Sequence, residues 1–450
     1  MPANSAETPS ATSSIASQET VTGAAPRDGG DVSGTPIHKT MVALLVGNRD
    51  FRSYALGLFL SSLAAEILTI AVGWKIYDIS GSALDLGLVG LVQFLPSFVL
   101  VFVTGAVADL YPRKTIILCC LICELVFTFG IFLVAGDFPG FVQHQVWPIL
   151  TLIAGIAVGR AFLSPAAQAI APNLVRREEI STAIACSTSA WQLSVIAGPA
   201  LGGVLYGVTP ALAYGTGLAM VAVALMAVIG MARRDQAKPS EPHVIQAMIG
   251  GFRYMLAEKV VLGASTLDLF AVLLGSTVTL LPIYARDILT VGPWGLGFLR
   301  AGMGIGALST AFYLGWRPIR RKAGLIMFVT VAIFGLATIG LGLSRSLLLS
   351  VLALIVMGAS DMVSVYIREV LIQLWTPDHL RGRVTAVYGL GIIASNELGS
   401  FRAGLVASLI GAVQATLLGG GCTIAVAGLW ARWFPKLRQQ NDLIRGEADD

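Results

Sequence analysis

The chain has 450 residues, of which 55% are hydrophobic and only 12% are charged, and its mean hydropathy is +0.78. No water-soluble domain of this length has such a composition, so the soluble enzyme and binding classes are excluded. The net charge is +4, and the position of the cations along the chain is more informative than this total.

Residues 1–45 are rich in Ser, Ala, Thr, Pro and Gly and show no apolar periodicity, which predicts a disordered tail. The tail lacks a basic start followed by an apolar core, so no signal peptide is predicted. Apolar stretches of about 20 residues follow it, which is the length that a helix needs to cross a bilayer. They do not alternate in polarity as the strands of a membrane barrel would.

The sequence therefore predicts an all-α membrane protein with twelve transmembrane helices in two pseudo-symmetric six-helix bundles. The predicted spans are residues 53–77, 84–107, 115–135, 147–169, 181–207 and 212–231, then 260–284, 294–315, 324–343, 347–374, 384–408 and 412–431. The predicted domains are a cytoplasmic tail (1–45), a first bundle (46–231), a cytoplasmic linker (232–259), a second bundle (260–432) and a cytoplasmic tail (433–450). Within the linker, residues 244–256 are predicted to form a short amphipathic helix on the membrane surface.

Lysine and arginine residues are distributed unequally between the two sides of the predicted membrane domain. Of the 30 such residues, Lys75, Arg286 and Arg345 fall on one side, four lie inside spans and 23 lie on the other side. Because the cation-rich side faces the cytoplasm, a multi-pass protein with both termini in the cytoplasm is expected. The cations are thus accounted for by topology, and no nucleic-acid partner is expected.

A charged loop between the second and third spans has the sequence Gly105-Ala-Val-Ala-Asp109-Leu-Tyr-Pro-Arg113-Lys114. This G-x-x-x-D-x-x-x-R-K pattern resembles the signature loop of the major facilitator superfamily of transporters. Gly105 would allow close helix packing, and Arg113 and Lys114 would keep the loop in the cytoplasm. The resemblance implies that Asp109 meets the start of the eleventh helix and closes the cytoplasmic side.

The two halves resemble each other at a separation of a little over 200 residues. Pro172-Asn-Leu-Val-Arg-Arg177 precedes the fifth span, and Pro377-Asp-His-Leu-Arg-Gly-Arg383 precedes the eleventh. This duplication is similar to that of the superfamily, which implies a substrate site between the halves near the membrane midplane. The runs 358–368 and 395–404 further resemble the branch that contains bacterial enterobactin exporters.

That branch implies a monomeric exporter in the bacterial inner (cytoplasmic) membrane, driven by protons through alternating access. Its expected cargo is a small molecule such as a siderophore or a hydrophobic drug-like compound. No G-x-x-x-x-G-K-[ST] run is present, so the chain would not use ATP, and no H-E-x-x-H or G-x-S-x-G run supports a hydrolase. Two alternatives are a lipid or lysolipid flippase of the same fold and a membrane-embedded lipid enzyme.

Charged side chains inside a bilayer are costly and need a partner, a cavity or a function. The candidates for substrate or proton binding are Glu66, Glu124, Arg160, Asp361, Asn396, Glu397 and Arg402. The candidates for a conformational gate are Gly105, Asp109, Arg113, Lys114, Arg368, Glu369, Arg381 and Arg383. For several of these charges a purely structural ion pair is the alternative; Arg160 is expected to neutralise Glu66 or Glu124.

Histidine and cysteine offer little chemistry in this chain. All four histidines (His38, His144, His243, His379) fall in the tail or in loops, so a carboxylate would have to carry any transported proton. The five cysteines fall within apolar runs and are expected to be packing residues, so no metal or cofactor site is predicted.

Asp361 and Arg368 lie seven residues apart, too far for contact within one helix, and partners on the eleventh span are expected.

Overall fold

A computed structural model describes residues 37–138, 145–232, 244–319 and 321–439, and long helices make up most of these segments. The helices are α1 (Ile37–Gly47), α2 (Arg49–Ser80), α3 (Ala83–Leu110), α4 (Arg113–Ala135), α5 (Val146–Leu174), α6 (Ile180–Val208), α7 (Pro210–Ile229), α8 (Val244–Ala257), α9 (Lys259–Gly275), α10 (Leu281–Ile283), α11 (Gly292–Trp316), α12 (Ala323–Leu343), α13 (Leu347–Trp375), α14 (Asp378–Ile410), α15 (Ala412–Trp433) and α16 (Pro435–Arg438).

The long helices form two groups of six with the same internal packing. In the first half, α2 packs on α6 and α7, α3 on α5, and α4 on α5 and α7. In the second half, α9 packs on α14 and α15, α11 on α13, and α12 on α13 and α15. The two sets of contacts correspond helix by helix, so the predicted pair of pseudo-symmetric six-helix bundles is confirmed.

The two halves meet along two equivalent helix pairs, α3 with α14 and α6 with α11. Among the described residues, ten helical segments are long and apolar enough to cross a membrane, while α11 and α14 are equally long but less apolar. The lower apolarity has a structural reason, because these two helices place glycine and charged residues against the other half rather than against lipid.

The ends of the bundle are named here by the chain termini. The proximal end carries the end of α1, the helix α8 and the end of α15, and the distal end carries the connections after α2, α6 and α14. The described part of the predicted disordered tail, residues 37–45, lies within the helix α1, so the prediction of disorder is wrong for these residues. Residues 1–36 lie outside the described part of the chain, and the remaining domain boundaries stay predictions.

The linker contains the short helix that its sequence predicts. This helix, α8, packs mainly against α14, and a Cβ atom at its Gly251 would lie 2.7 Å from the backbone carbonyl of Arg383. Three large apolar side chains of α8, those of Ile249, Phe252 and Leu256, are more than half exposed. An apolar face beside charged residues is typical of a helix that lies at a membrane surface.

The span that begins with α9 is interrupted near its middle. The helix ends at Gly275, and a 3₁₀ turn, the short helix α10 and a π turn at Tyr284–Ile288 complete the span. An interrupted helix leaves carbonyl groups without partners, and in a membrane these must be satisfied by protein. Arg402 of α14 does this, because its Nη2 donates to the carbonyl oxygen of Ser276 at 3.0 Å.

Candidate functional site

The charged residues that sequence analysis selected separate into distinct groups in the structure. Glu124 of α4 is buried and accepts hydrogen bonds from Arg160 of α5 at 3.1 Å and from Ser61 of α2 at 3.0 Å. Arg160 thus pairs directly with Glu124, while its interaction with Glu66 is a longer-range electrostatic one. The Glu124–Arg160 pair joins three helices of the first half.

A second group lies inside the other half. Arg368 of α13 is only 2% exposed, and its Nη1 lies 3.0 Å from the carboxylate of Asp268 on α9. The same guanidinium donates to the hydroxyl of Tyr388 on α14 and to Ser364 at 3.3 Å. Asp361 interacts electrostatically with both members of the Arg368–Asp268 pair. The partner expected on the eleventh span is therefore Tyr388, and the ionic partner, Asp268, lies instead on the seventh.

A third group forms where the halves meet, and it consists of Glu66 of α2, Arg300 of α11 and Glu397 of α14; it is called the seam cluster below. Arg300 interacts electrostatically with both glutamates. All three side chains are half-buried, and none makes a hydrogen bond or an ion pair of 4.0 Å or less with the described residues. Their charges therefore interact with one another over distances longer than that of an ion pair.

Glycine contacts explain why the second-half members of the seam cluster point toward the first half. On α11, Arg300 lies three residues after Gly297 and four before Gly304, so all three occupy one helix face. A Cβ atom at Gly297 would lie 3.1 Å from the carbonyl oxygen of Pro199 on α6, and one at Gly304 would lie 2.8 Å from Ile196. Arg300 therefore lies on the face of α11 that packs against α6.

The same relation holds on α14. Glu397 precedes Gly404 by seven residues, so both lie on one face of the helix. A Cβ atom at Gly404 would lie 2.7 Å from the Cα atom of Gly87 on α3, and one at Gly90 would lie 3.2 Å from Oε2 of Glu397. Glu66 is placed in a corresponding way on the first-half side, because its Cβ packs directly on Gly198 of α6. Glycines thus bring three helices close enough for the seam cluster to form.

Four residues connect the halves at the distal end and are called the distal latch below: Tyr77, Asp78, Arg286 and Asp287. The hydroxyl of Tyr77 donates to Asp287, Arg286 pairs with Asp78 at 3.2 Å and donates to the carbonyl oxygen of Tyr77 at 3.0 Å. The guanidinium of Arg286 also lies over the Tyr77 ring, 5.6 Å from its centroid. The π turn sets this geometry, because it brings Arg286 and Asp287 against the end of α2.

The two cations of the signature loop bind carbonyl oxygens near the ends of α5 and α7, which the sequence does not reveal. Arg113 donates to the carbonyl oxygen of Ala169 near the end of α5 at 2.6 Å, and Lys114 donates to the carbonyl oxygens of Ile229 and Met231 at the end of α7. Cations at helix C-termini satisfy unpaired carbonyls and complement the helix dipole. The side chain of Asp109 lies outside the described residues, so its expected contact with the eleventh helix stays a prediction.

Several other candidates contact only their own neighbourhood. Asn396 is exposed and donates to Ile392 of its own helix at 3.0 Å, and Glu369 is exposed beside Arg368. Arg381 contacts Asp378 at 2.6 Å, one turn away on α14. The contact residues that the sequence did not select as site candidates are Tyr77, Asp78, Asp268, Arg286, Asp287, Arg300 and Tyr388. Paired glycines on α11 and α14 were the available signal for the helix contacts.

The chain matches one known protein family over most of its length. Residues 46–445 match the family model described as transmembrane secretion effector, a group of the major facilitator superfamily. The chain belongs to this family. It is therefore a multi-pass membrane transporter with a small-molecule substrate, and not an enzyme.

Individual relatives of this major facilitator protein agree with that assignment. It is 26% identical over 392 residues to the enterobactin exporter EntS of Escherichia coli O81 (strain ED1a), and this match covers 85% of the present chain and 91% of the relative. Its fold resembles a bacterial homologue of the human lysosomal transporter Spinster in an inward-facing, occupied conformation, with a TM-score of 0.69, 15% identity and coverage of 90% and 100%. The nucleoside transporter NupG (D323A mutant) gives a TM-score of 0.69, 13% identity and coverage of 85% and 99%.

The distal latch of this major facilitator transporter is expected to help hold its two halves together. Its ion pair is partly exposed, and such pairs contribute about 0.2–1 kcal/mol each. The double variant Arg286→Gln, Asp287→Asn should therefore open the distal contact between the halves more often. The maleimide labelling rate of a Ser400→Cys reporter should rise by roughly twofold to tenfold. The reporter is introduced into a background that lacks the five native cysteines. Ser400 is chosen because it packs on Gly90 where α3 meets α14.

Arg345→Gln is the matched control for this experiment. Arg345 is also an exposed arginine at the distal end, and it has no ion pair with the described residues. An equal increase in labelling for the control and for the double variant would show that the distal latch does not hold the halves together.

Proposed function

We propose that this transporter is a proton-coupled exporter that works by alternating access between its two halves. The observation that carries the proposal is the seam cluster, in which a carboxylate from each half, Glu66 and Glu397, faces one shared cation, Arg300. Ionisable groups inside a membrane are expensive, and they mark substrate and ion pathways when they face a cavity. A group shared by two moving halves can sense both the cargo and the position of the halves.

The contacts between the halves support an inward-facing state. The distal latch and the glycine contacts of α3 with α14 and α6 with α11 join the distal parts of these helices. Toward the proximal end, α11 instead presents large exposed side chains, including Ile305, Leu308, Phe312 and Tyr313. We take the proximal end as cytoplasmic, because most lysine and arginine residues lie there. The protein would then lie in a bacterial cytoplasmic membrane with both termini inside.

The cargo proposal comes from the relatives. EntS is named as an enterobactin exporter and covers most of this chain, so a siderophore or a hydrophobic drug-like compound is the proposed cargo and export the proposed direction.

A single chain contains the whole seam cluster, which is consistent with a monomer embedded in lipid. The gate roles of Asp109, Arg113, Lys114, Arg381 and Arg383 remain part of this proposal.

Transport into inverted membrane vesicles tests the function. Vesicles that contain the protein are energised with an inside-acid pH gradient, and uptake of enterobactin or of ethidium is followed with and without a protonophore. We expect uptake that the protonophore abolishes, and at least a tenfold loss in Glu397→Gln and in Glu66→Gln.

The control is Glu178→Gln, which removes an exposed carboxylate of the connection before α6. Uptake that persists after the gradient is collapsed would contradict proton coupling. Uptake that survives both glutamine substitutions would remove the seam cluster from the mechanism. Movement of labelled lipid between leaflets, with no uptake of either compound, would indicate a flippase instead.

A further inference from the structure

We infer that the helix α8 and the start of α14 form a binding site for the phosphate of an anionic phospholipid at the proximal end of the bundle. Arg253 of α8 and Arg383 of α14 hold the phosphate, and the apolar face of α8 lies against the acyl chains. Such a site is independent of the cargo and of the coupling ion.

The basic side chains near the start of α14 differ in their partners. Arg381 pairs with Asp378 at 2.6 Å and donates to the carbonyl oxygen of Gln373 at 3.1 Å. Arg253 and Arg383 are also exposed, but neither makes a hydrogen bond or an ion pair of 4.0 Å or less with the described residues. The donors of these two guanidinium groups are therefore available to a ligand.

Two consecutive glycines bring these arginines together. A Cβ atom at Gly251 would lie 2.7 Å from the backbone carbonyl of Arg383, and one at Gly250 would lie 3.6 Å from its Nη1 atom. Arg253 follows Gly250 by three residues, and helix positions with this spacing are neighbours on one face, about 5–6 Å apart. The guanidinium of Arg383 therefore lies about one helical turn from the base of Arg253, so that both can contact one phosphate.

No acid among the described residues neutralises this pair of cations. The helix α8 contains no aspartate or glutamate. Glu258, which follows it, accepts a hydrogen bond from the backbone nitrogen of Val260 at 3.4 Å and caps α9. The acid in the first turns of α14, Asp378, pairs with Arg381. Adjacent like charges repel each other, so an anion that binds between them is stabilised by both.

The apolar face of α8 indicates that this anion is a lipid. Ile249, Phe252 and Leu256 follow the i, i+3, i+7 spacing of one helix face and are 61%, 53% and 52% exposed. In a membrane protein such a face lies at the boundary between headgroups and acyl chains, and basic side chains at its border reach the phosphates. Arg253 precedes Leu256 by three residues and thus lies at this border. A phospholipid would contact both the apolar and the basic groups, whereas a free phosphate would contact only the basic ones.

The packing of α8 places the lipid site beside both halves of the transporter. Met255 is buried in the core of the second half, and Tyr254 donates to the carbonyl oxygen of Trp375 at the end of α13. The same helix also contacts α3 of the first half. A phospholipid bound by Arg253 and Arg383 would therefore lie beside the proximal end of the contact between α3 and α14, where it would influence how far the halves separate.

Native mass spectrometry of the purified full-length protein tests the inference. The protein in a mild detergent is mixed with equal amounts of dioleoyl phosphatidylglycerol and dioleoyl phosphatidylcholine, which share their acyl chains and differ in charge. We expect the first phosphatidylglycerol to bind roughly tenfold more tightly than phosphatidylcholine. Because each basic residue near an anionic headgroup contributes about fivefold in affinity, Arg253→Gln and Arg383→Gln should each weaken binding about fivefold and the double variant roughly 25-fold.

The matched control is the double variant Arg317→Gln, Arg432→Gln. These arginines are exposed beside the proximal ends of α11 and α15 and have no ion pair of 4.0 Å or less with the described residues. The control removes the same charge from the same end of the protein and should retain the bound phosphatidylglycerol. Phe252→Ser keeps every charge and removes apolar contact, and it should weaken phosphatidylglycerol binding roughly tenfold.

Equal binding of the two lipids, an equal loss in the control and in Arg253→Gln, Arg383→Gln, or an unchanged affinity in Phe252→Ser would each overturn the inference. Displacement of the lipid by inorganic phosphate would overturn it in favour of a site for a free anion. The measurement uses no cargo and no pH gradient. Failure of lipid binding would thus leave the exporter proposal intact, and absence of uptake in vesicles would leave the lipid site intact.

Discussion

A Gly404→Leu substitution is expected to abolish transport while leaving membrane insertion unchanged. Gly404 lies where α14 crosses α3, and a Cβ atom there would lie 2.5 Å from the carbonyl oxygen of Ala83 and 2.7 Å from the Cα atom of Gly87. Both neighbours are backbone atoms, which cannot move aside by a change of rotamer. Forcing extra atoms into such a contact costs about 1–3 kcal/mol or more, so the distal-closed state should be populated roughly 10-fold to 100-fold less.

Gly389→Leu is the matched control for Gly404→Leu. Gly389 lies on the same helix, and nothing lies within 4 Å of a Cβ atom built there. Transport is measured in the vesicle assay, and opening of the distal contact is measured by maleimide labelling of an Ala200→Cys reporter on α6. Normal transport in Gly404→Leu, or equal loss in both variants, would contradict the idea that closure at Gly404 is part of the cycle.

Loss of the Arg368 side chain should produce the largest decrease in stability. The Arg368 and Asp268 side chains are 2% and 9% exposed, so Arg368→Met would leave a buried carboxylate without a counter-charge. Breaking a buried pair in this way costs about 3–5 kcal/mol, whereas replacing both partners by apolar residues is often neutral. We therefore expect a large decrease in the melting temperature of Arg368→Met and substantial recovery in Arg368→Met with Asp268→Leu.

The comparison for this experiment is Arg381→Met, which breaks the exposed pair of Arg381 with Asp378. Exposed pairs contribute about 0–1 kcal/mol, so this variant should melt near the wild-type temperature in detergent. An equally small effect of both substitutions, or a double variant less stable than Arg368→Met alone, would show that the buried pair is not a stabilising unit.

The fold was predictable because most spans are apolar stretches of about the length that crosses a bilayer; ten of the described helical segments meet this criterion. The ends of the helices were less predictable, since α14 starts at Asp378, six residues before the predicted Val384. Its first turns are polar, and hydropathy cannot distinguish a polar helical turn from a loop. The break after Gly275 was also missed, because its stabilising contact comes from the distant Arg402.

The candidate site was predictable residue by residue but not as a set of pairs. Rarity in the spans identified Glu66, Glu124 and Glu397, but only the fold shows that Glu124 belongs to Arg160, while Glu66 and Glu397 share Arg300. The gate assignment of Arg368 has a different context in the structure, since this residue is buried within the second half. Partners from distant spans depend on helix rotation, which a single sequence does not fix to within one residue.

The continuity of α14 determines how far a small motion reaches. This helix has 33 residues, and at 1.5 Å per residue it forms a rod of about 50 Å. From Gly404, where it bears on α3, to its start at Asp378 the rod measures about 39 Å. A tilt of roughly 10° about that bearing would displace the start of the rod by roughly 7 Å, together with the helix α8 that rests on it. Because the bearing at Gly404 is near one end of the rod, a small tilt there is amplified at the other end.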